Sequence, residues 1–321
     1  MKYPVISGRK EIIQLPSKII GLYVVDMNTK NTNWSDIIFN AVVIVLSIAI
    51  FLIILYPLWF IVIASVSNSN LVNLGKVTIW PRDIRFYGFE QIMGDERIWR
   101  GYLNTLLYVI VGTALNMVVT MPAAYALSRR NFSSRNKIMF YFVFTMFFNG
   151  GLVPTYMTVN SLGLISTKAI LILFVAVNTY NLIIARTFIE SSIPEDLYEA
   201  AVLDGCSHFT YFMKVVLPLS KAVNAVLILY YAVFHWNDYF NALIYNSKQA
   251  NAPLQIVLRE ILLLNQAFAN GNGGVQGGYG QSSADQVKYA VIIVSTIPIL
   301  CVYPFVQKYF EKGVMIGAVK G

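Results

Sequence analysis

Long apolar runs separated by short polar intervals dominate this chain. Crossing the hydrocarbon core takes about 20 largely apolar residues in helical form. Six segments answer to that length: about Ile37 to Ser65, Leu103 to Leu127, Ile138 to Met157, Ala169 to Ile189, Ala222 to Tyr245 and Val287 to Phe310. The first carries no charged residue, and the fifth is the most polar. Lipid cannot satisfy open backbone, and no ten-residue alternating segments point to a barrel, so the segments are read as helices. The expected fold is all-α integral membrane, with six transmembrane helices forming one domain over residues 36–321.

The polar intervals differ in character. Residues 1–35 hold Lys2, Arg9, Lys10, Lys18 and Lys30 but no apolar run long enough for a signal peptide, so they are read as a cytoplasmic N-terminal arm. Trp80, Phe86, Tyr87, Phe89 and Trp99 in the 66–101 interval suggest a folded cap on the membrane. Between Pro253 and Asn265, Leu254, Val257, Leu258, Ile261 and Leu262 recur at helical spacing and read as an interfacial helix. A Gly-rich tract at 271–280 follows, with the composition of a flexible link.

Composition supports the membrane reading. Hydrophobic residues make up 57% of the 321, and charged residues 12%, where a soluble domain carries about 25%. Mean hydropathy is +0.60. The net charge of +8 fits the excess of Lys and Arg in cytoplasmic segments of membrane proteins. No basic helix or aromatic-basic module points to nucleic acid. Arg129, Arg130, Arg135 and Lys137 crowd the short 128–137 link. Their position places that link, the 190–221 loop and both termini on the cytoplasmic side. Cys206 and Cys301 are far apart and lack the neighbours of a metal site, a nucleophile or a disulfide framework.

The 190–221 loop can be read residue by residue. Pro194 suits the first turn of a helix, and Glu195 and Asp196 then lie at the positive end of its dipole. Gly205 follows the last helical residue, where a left-handed cap is usual. The expected element is a helix of about ten residues with Leu197, Ala200 and Ala201 toward one side. Ser207 can cap a second short helix carrying Phe209, Phe212 and Val216, stopped by Pro218. Small residues at 200 and 201 let a partner surface approach the backbone, with Glu199 and Asp204 at the rim. On the residues alone, a docking surface and a plain connector fit equally well.

The run Ile193-Pro194-Glu195-Asp196-Leu197-Tyr198-Glu199-Ala200-Ala201, continued by Asp204-Gly205 and Leu217-Pro218-Leu219, resembles the coupling loop of carbohydrate-uptake ABC importer permeases. Asn104-Thr105, Ala123 to Arg129, and Trp236-Asn237-Asp238-Tyr239 agree with it. Phe148 to Tyr156 and Val314 to Gly321 resemble the oligosaccharide or aldouronate subgroup. The resemblance covers about residues 36–321, and Lys221-Ala222 stands where many relatives have a proline. It implies that Glu199, Ala200, Ala201, Asp204 and Gly205 engage a separate ATPase. It also implies a second homologous permease subunit, two ATPase subunits that bind ATP and Mg, an extracellular substrate-binding (lipo)protein, and a multi-pass location in a bacterial cytoplasmic membrane. The chain itself has no G-x-x-x-x-G-K-[ST] phosphate loop.

A sugar route needs hydrogen-bonding groups and aromatic faces, and the fifth segment offers both. Tyr230, Tyr231, Trp236, Asn237, Asp238 and Asn241 are the candidate path residues, with Asn149 at the Asn149-Gly150-Gly151 interruption of the third. At helical spacing Tyr230, Phe234, Asn237 and Asn241 would share one face, and Tyr231, His235 and Asp238 another. His235 reads as a hydrogen-bonded packing residue. An ion-coupled secondary transporter is the alternative, and it is disfavoured by spans almost free of carboxylates and by the absence of a visible repeat.

Overall fold

The structure, a computed structural model, describes residues 34–269, 286–301 and 304. The N-terminal arm, the Gly-rich tract and the C-terminal tail lie outside the described residues. Those described form helices and no strand. In chain order the helices are α1 (Trp34–Ser65), α2 (Ser69–Asn73), α3 (Tyr87–Gly94), α4 (Glu96–Ser128) and α5 (Arg135–Phe147). Then come α6 (Leu152–Ser161), α7 (Lys168–Leu173), α8 (Thr179–Ser192), α9 (Glu195–Leu203) and α10 (His208–Tyr211). A π-helical turn at Phe212–Val216 leads into α11 (Leu217–Leu219), α12 (Lys221–Asn237) and α13 (Phe240–Tyr245). A 3-10 turn at Gln249–Asn251 precedes α14 (Leu254–Ala269), and α15 (Gln286–Cys301) follows among the described residues.

The chain divides into two compact units, residues 1–56 and 57–321. The described part of the first is an apolar helix, the N-terminal portion of α1. In the second, α4 is the central element and packs against α5, α7, α8, α12 and α14. Its buried face recurs every four residues, at Asn104, Tyr108, Gly112, Asn116, Thr120 and Ala124, with Thr105 and Thr113 beside it. One hydrophobic cluster joins Tyr108 to Ile170, Trp236, Leu254 and Val291. A second joins Met121 and Tyr125 to Leu182, Ile189, Tyr211 and Leu227.

The polar members of the α4 stripe answer a backbone problem. Wherever a helix breaks in an apolar setting, its freed carbonyls need donors. The Asn104 amide donates to the carbonyls of Ala250 at 2.9 Å and Ala252 at 3.0 Å. Tyr108 donates to that of Asn251 at 2.8 Å. The Asn116 amide donates to the carbonyls of Val175 and Ala176 in the break between α7 and α8.

Those breaks bear on the six transmembrane helices expected from the sequence. Two described helices are long and apolar enough to cross a membrane, Ile37–Ser65 and Glu96–Ser128, and the count rises to four if two bent helix pairs each form a span. The expected third span is the pair α5 and α6, bent by 116°. Gly151 takes φ +82 there, and the side chain of Asn149 accepts the Gly151 N–H at 3.0 Å. α5 has already stopped at Phe147, and Gly151 is the N-cap from which α6 starts in the new direction, a conformation glycine adopts without steric cost. The fourth span is interrupted at 174–178, where the Asn178 side chain caps α8 by accepting from the Asn181 N–H at 3.1 Å. The fifth stops at Asn237, and Asp238 accepts from the backbone and side-chain N–H groups of Asn241, at 3.2 and 2.9 Å.

The polar intervals hold further differences. The helix expected from Leu103 begins at Glu96, because Asp95 caps it by accepting from the Arg97 N–H at 2.9 Å. The apolar face expected to lie at an interface, Leu254, Val257, Leu258 and Ile261, is buried in the protein as α14 packs against α4.

Candidate functional site

Helix α9 occupies the 190–221 loop as the residue pattern predicts, with Glu195 and Asp196 in its first turn. Pro194 sits one position earlier than expected, as N-cap with φ −58 and ψ 142. The C-terminus is a Schellman motif. Cys206 N–H donates to the Ala201 carbonyl at 2.9 Å and Gly205 N–H to that of Val202 at 3.0 Å, with Gly205 at φ +74. Ser207 caps α10 by accepting from the Thr210 N–H at 3.2 Å.

Pro218 does not stop the second helix. The π turn ahead of it widens the helix, and Leu217 N–H reaches the Phe212 carbonyl. An interior proline lacks a donor and crowds the carbonyl four residues back, and the wider turn relieves both. The chain then turns at Ser220, and α12 leaves at 83° to the preceding helical stretch.

No residue of α9 is buried. Glu199, Ala200 and Asp204 face outward, with Leu197 and Leu203 exposed beside them. Ala201, expected on the side of Ala200, is instead half-buried with Tyr198 against the cluster around Tyr125. Phe209 and Met213 extend the exposed apolar surface beyond Gly205. A polar cavity of about 390 Å³ lies beside the start of α9, lined by Arg129, Arg130, Arg135, Arg186, Glu190 and Glu195 among others. Arg186 pairs with Glu190 at 3.0 Å, Arg135 with Glu190 at 3.6 Å, and Arg129 with Glu195 at 3.6 Å.

The candidate path residues separate into distinct settings. Tyr231 is buried, sharing a 2.7 Å hydrogen bond with Thr120 Oγ1 and accepting from the Asn178 N–H at 3.3 Å. Trp236 is buried against Tyr102, ring centroids 6.2 Å apart, and its indole N–H has no hydrogen-bond partner among the described residues. Tyr230 is partly exposed. Asn237 is exposed and donates to the Val233 carbonyl of its own helix at 2.9 Å. Asn241 does not continue the face of Tyr230 and Phe234, because the break at Asp238 resets the helical phase. Asn149 is exposed at the bend between α5 and α6. His235 is buried, with Nε2 2.8 Å from Asn116 Oδ1.

A groove of about 470 Å³ runs along the α12 face of Tyr230, Val233 and Phe234 and is closed by Val175, Asn178, Tyr180 and Asn181. Of its lining, sequence reading named only Tyr230, Tyr231 and Phe234. Asn178, Tyr180 and Asn181 were missed because they were read as interior to a continuous fourth span. Asn116 was missed too, though a polar residue every few positions along apolar α4 was a legible signal.

Residues 92–316 match the family described as binding-protein-dependent transport system inner membrane component, and the chain belongs to that family. Its curated relatives include sugar permeases. The polygalacturonan/rhamnogalacturonan transport system permease protein YtcP of Bacillus subtilis (strain 168) is 38% identical over 270 residues, 84% of this chain and 94% of that protein. Protein LplC of the same organism is 38% identical over 265 residues, covering 83% and 89%. Among solved structures, a bacterial ABC transporter involved in the import of the acidic polysaccharide alginate has a chain that aligns with TM-score 0.79 and 33% identity, over 88% of this chain and 100% of that one. The resemblance to sugar-importer permeases read from the motifs is borne out.

Proposed function

We propose that this chain is one of two homologous permease subunits of an ATP-driven importer for an oligosaccharide, one bearing uronate groups. Its six apolar segments enter a bacterial cytoplasmic membrane, several as broken helices, with both termini inside. A separate pair of ATPase subunits binds ATP and Mg and hydrolyses the nucleotide, and an extracellular binding protein delivers the sugar. The observation that carries the reading is α9: a short helix with no buried residue, closed by a left-handed glycine, that presents Glu199, Ala200 and Leu203 outward. A helix left so bare inside a folded loop has surface to give to a partner.

The groove along α12 supports the path. Tyr180, Tyr230 and Phe234 offer faces to the apolar side of a sugar ring, while Asn178 and Asn181 offer partners for hydroxyls. The acidic class of substrate is suggested by relatives named for polygalacturonan, rhamnogalacturonan and alginate.

The test is reconstitution of the chain with its partner permease, an ATPase and a binding protein, followed by uptake of labelled uronate oligosaccharides against neutral ones. ATP-dependent uptake of the acidic class is expected. Uptake that persists without an ATPase subunit, driven by an ion gradient, would overturn the reading.

A further inference from the structure

We propose that Arg129 is a positioning residue, a clamp that fixes the ATPase-facing helix α9 to the end of α4 so that the two move together. The assignment rests on the importer reading above. Arg129 caps α4 in extended conformation, φ −74 and ψ 127, and is 6% exposed. Its guanidinium carbon lies 5.1 Å from the ring centre of Tyr125 on α4 and 5.5 Å from that of Tyr198 on α9. Nη1 is 3.6 Å from Oε2 of Glu195, in the first turn of α9. Nε and Nη2 each lie 3.4 Å from Ser128 Oγ, whose hydroxyl donates to the Tyr125 carbonyl at 2.7 Å.

His208 closes the cluster from the other side. Its Nδ1 is 3.2 Å from the Tyr125 hydroxyl and its Nε2 3.2 Å from that of Tyr198, and its ring stacks on Tyr198 at 5.4 Å. Elements on both sides of the Gly205 turn thus meet at the two tyrosines that flank the Arg129 guanidinium.

The weakness of α9's own packing makes this cluster matter. With no buried residue, the helix is held by the few side chains that turn inward, chiefly Tyr198, Ala201 and Glu195. A delocalised, planar guanidinium can sit between two rings and still face a carboxylate, whereas an ammonium is a strongly hydrated point charge. The Arg129–Glu195 contact, at 3.6 Å, is beyond hydrogen-bond length. The ring contacts and the long ion pair are weakly directional, so they can persist while α4 and α9 shift as a unit. α4 is also the helix on which the core converges. A change in the span region therefore has a direct mechanical route to the ATPase-facing surface.

The experiment uses the full reconstituted complex with Arg129→Gln, Arg129→Lys, Tyr198→Ala and, as control, the exposed neighbour Arg130→Gln. Three quantities are read: copurification of the ATPase, basal hydrolysis, and stimulation of hydrolysis and uptake by sugar-loaded binding protein. Coupling between sites in proteins is commonly about 5- to 150-fold, so an uncoupled variant should lose about tenfold of the stimulation. Both Arg129 variants and Tyr198→Ala are expected to keep assembly and basal hydrolysis and to lose stimulation, with Lys failing to rescue and Arg130→Gln unchanged. Full stimulation in Arg129→Gln at normal assembly overturns the clamp. If the Arg129 variants do not fold, Tyr198→Ala decides alone: uncoupling supports the clamp and normal coupling overturns it. Failure of the wild-type chain to bind any ATPase would instead refute the importer reading, and the clamp with it.

Discussion

His235 donates from Nε2 to Asn116 Oδ1 at 2.8 Å, joining the middles of two buried helix faces on α12 and α4. The direction follows from the other end of the amide. Asn116 Nδ2 is committed to the carbonyls of Val175 and Ala176, so Oδ1 must accept and the ring nitrogen must carry the proton. One asparagine therefore holds two helices and the break between α7 and α8. That break also supplies Asn178 to the groove along α12.

Replacing Asn116 by Leu would leave the His235 N–H and the freed carbonyls without their partner. Each buried unsatisfied polar group costs about 1–3 kcal/mol, so Asn116→Leu should lower the thermal midpoint of the purified complex clearly. Gly112→Ala should do the same by a different route, because a Cβ there would come within 2.6 Å of the His235 Cε1. Melting curves followed by fluorescence or circular dichroism check both, and unchanged midpoints would show that the network does not contribute.

Gly205 has open space where a Cβ would stand, so a substitution there is penalised by backbone conformation rather than by a clash. A left-handed residue costs about 1–2 kcal/mol for most L-residues. Asn tolerates the region and β-branched residues do not. The expected order of ATPase copurification is wild type, then Gly205→Asn, then Gly205→Val. Equal yields across the three would mean the Schellman cap is dispensable.

Asp95 caps α4 and pairs with Arg97 at 2.7 Å, and the hydrogen bond from Arg97 holds its carboxyl below the usual carboxylate range. A pKa depressed by folding stabilises above the ordinary carboxylate pKa, and the gain is lost as pH falls through the folded value. Asp95→Ala should cost about 1 kcal/mol at pH 7 through the lost cap. Asp95→Asn keeps a cap and should cost less. The gap between wild type and Asp95→Asn should close on acidification, as read by melts across a pH series. A gap that widens on acidification would contradict the sign.

Cys206, half-buried just past Gly205, reports the side of the membrane on which the loop lies. With Cys301 replaced by Ser, an impermeant maleimide should label Cys206 in inverted vesicles and leave intact cells unlabelled. Labelling from outside intact cells would reverse the proposed orientation.

Local chemistry was legible in the sequence to the level of single turns. The acidic first turn of α9, the left-handed Gly205, the Ser207 cap and the apolar face of Leu254, Val257, Leu258 and Ile261 each depend on neighbours within about one helical turn. Their signals therefore survive in a linear reading. Hydropathy likewise located the apolar segments, because hydrocarbon acts on composition and length.

Tertiary structure decided what lies between those signals. The fourth and fifth segments look continuous in hydropathy, and at their breaks, 174–178 and Asp238, the side chains of Asn116, Tyr231 and Asp238 supply hydrogen bonds for the freed backbone. No window along the chain contains both Asn116 and Val175, or both Arg129 and Tyr198. The sequence by itself determined a helical membrane permease with a capped short helix in its 190–221 loop. Only the packed structure could select which polar residues serve the backbone, which line the groove, and which arginine joins the loop to the central helix. Burial sets the value of a hydrogen bond or a charge, and burial is a property of the assembled fold.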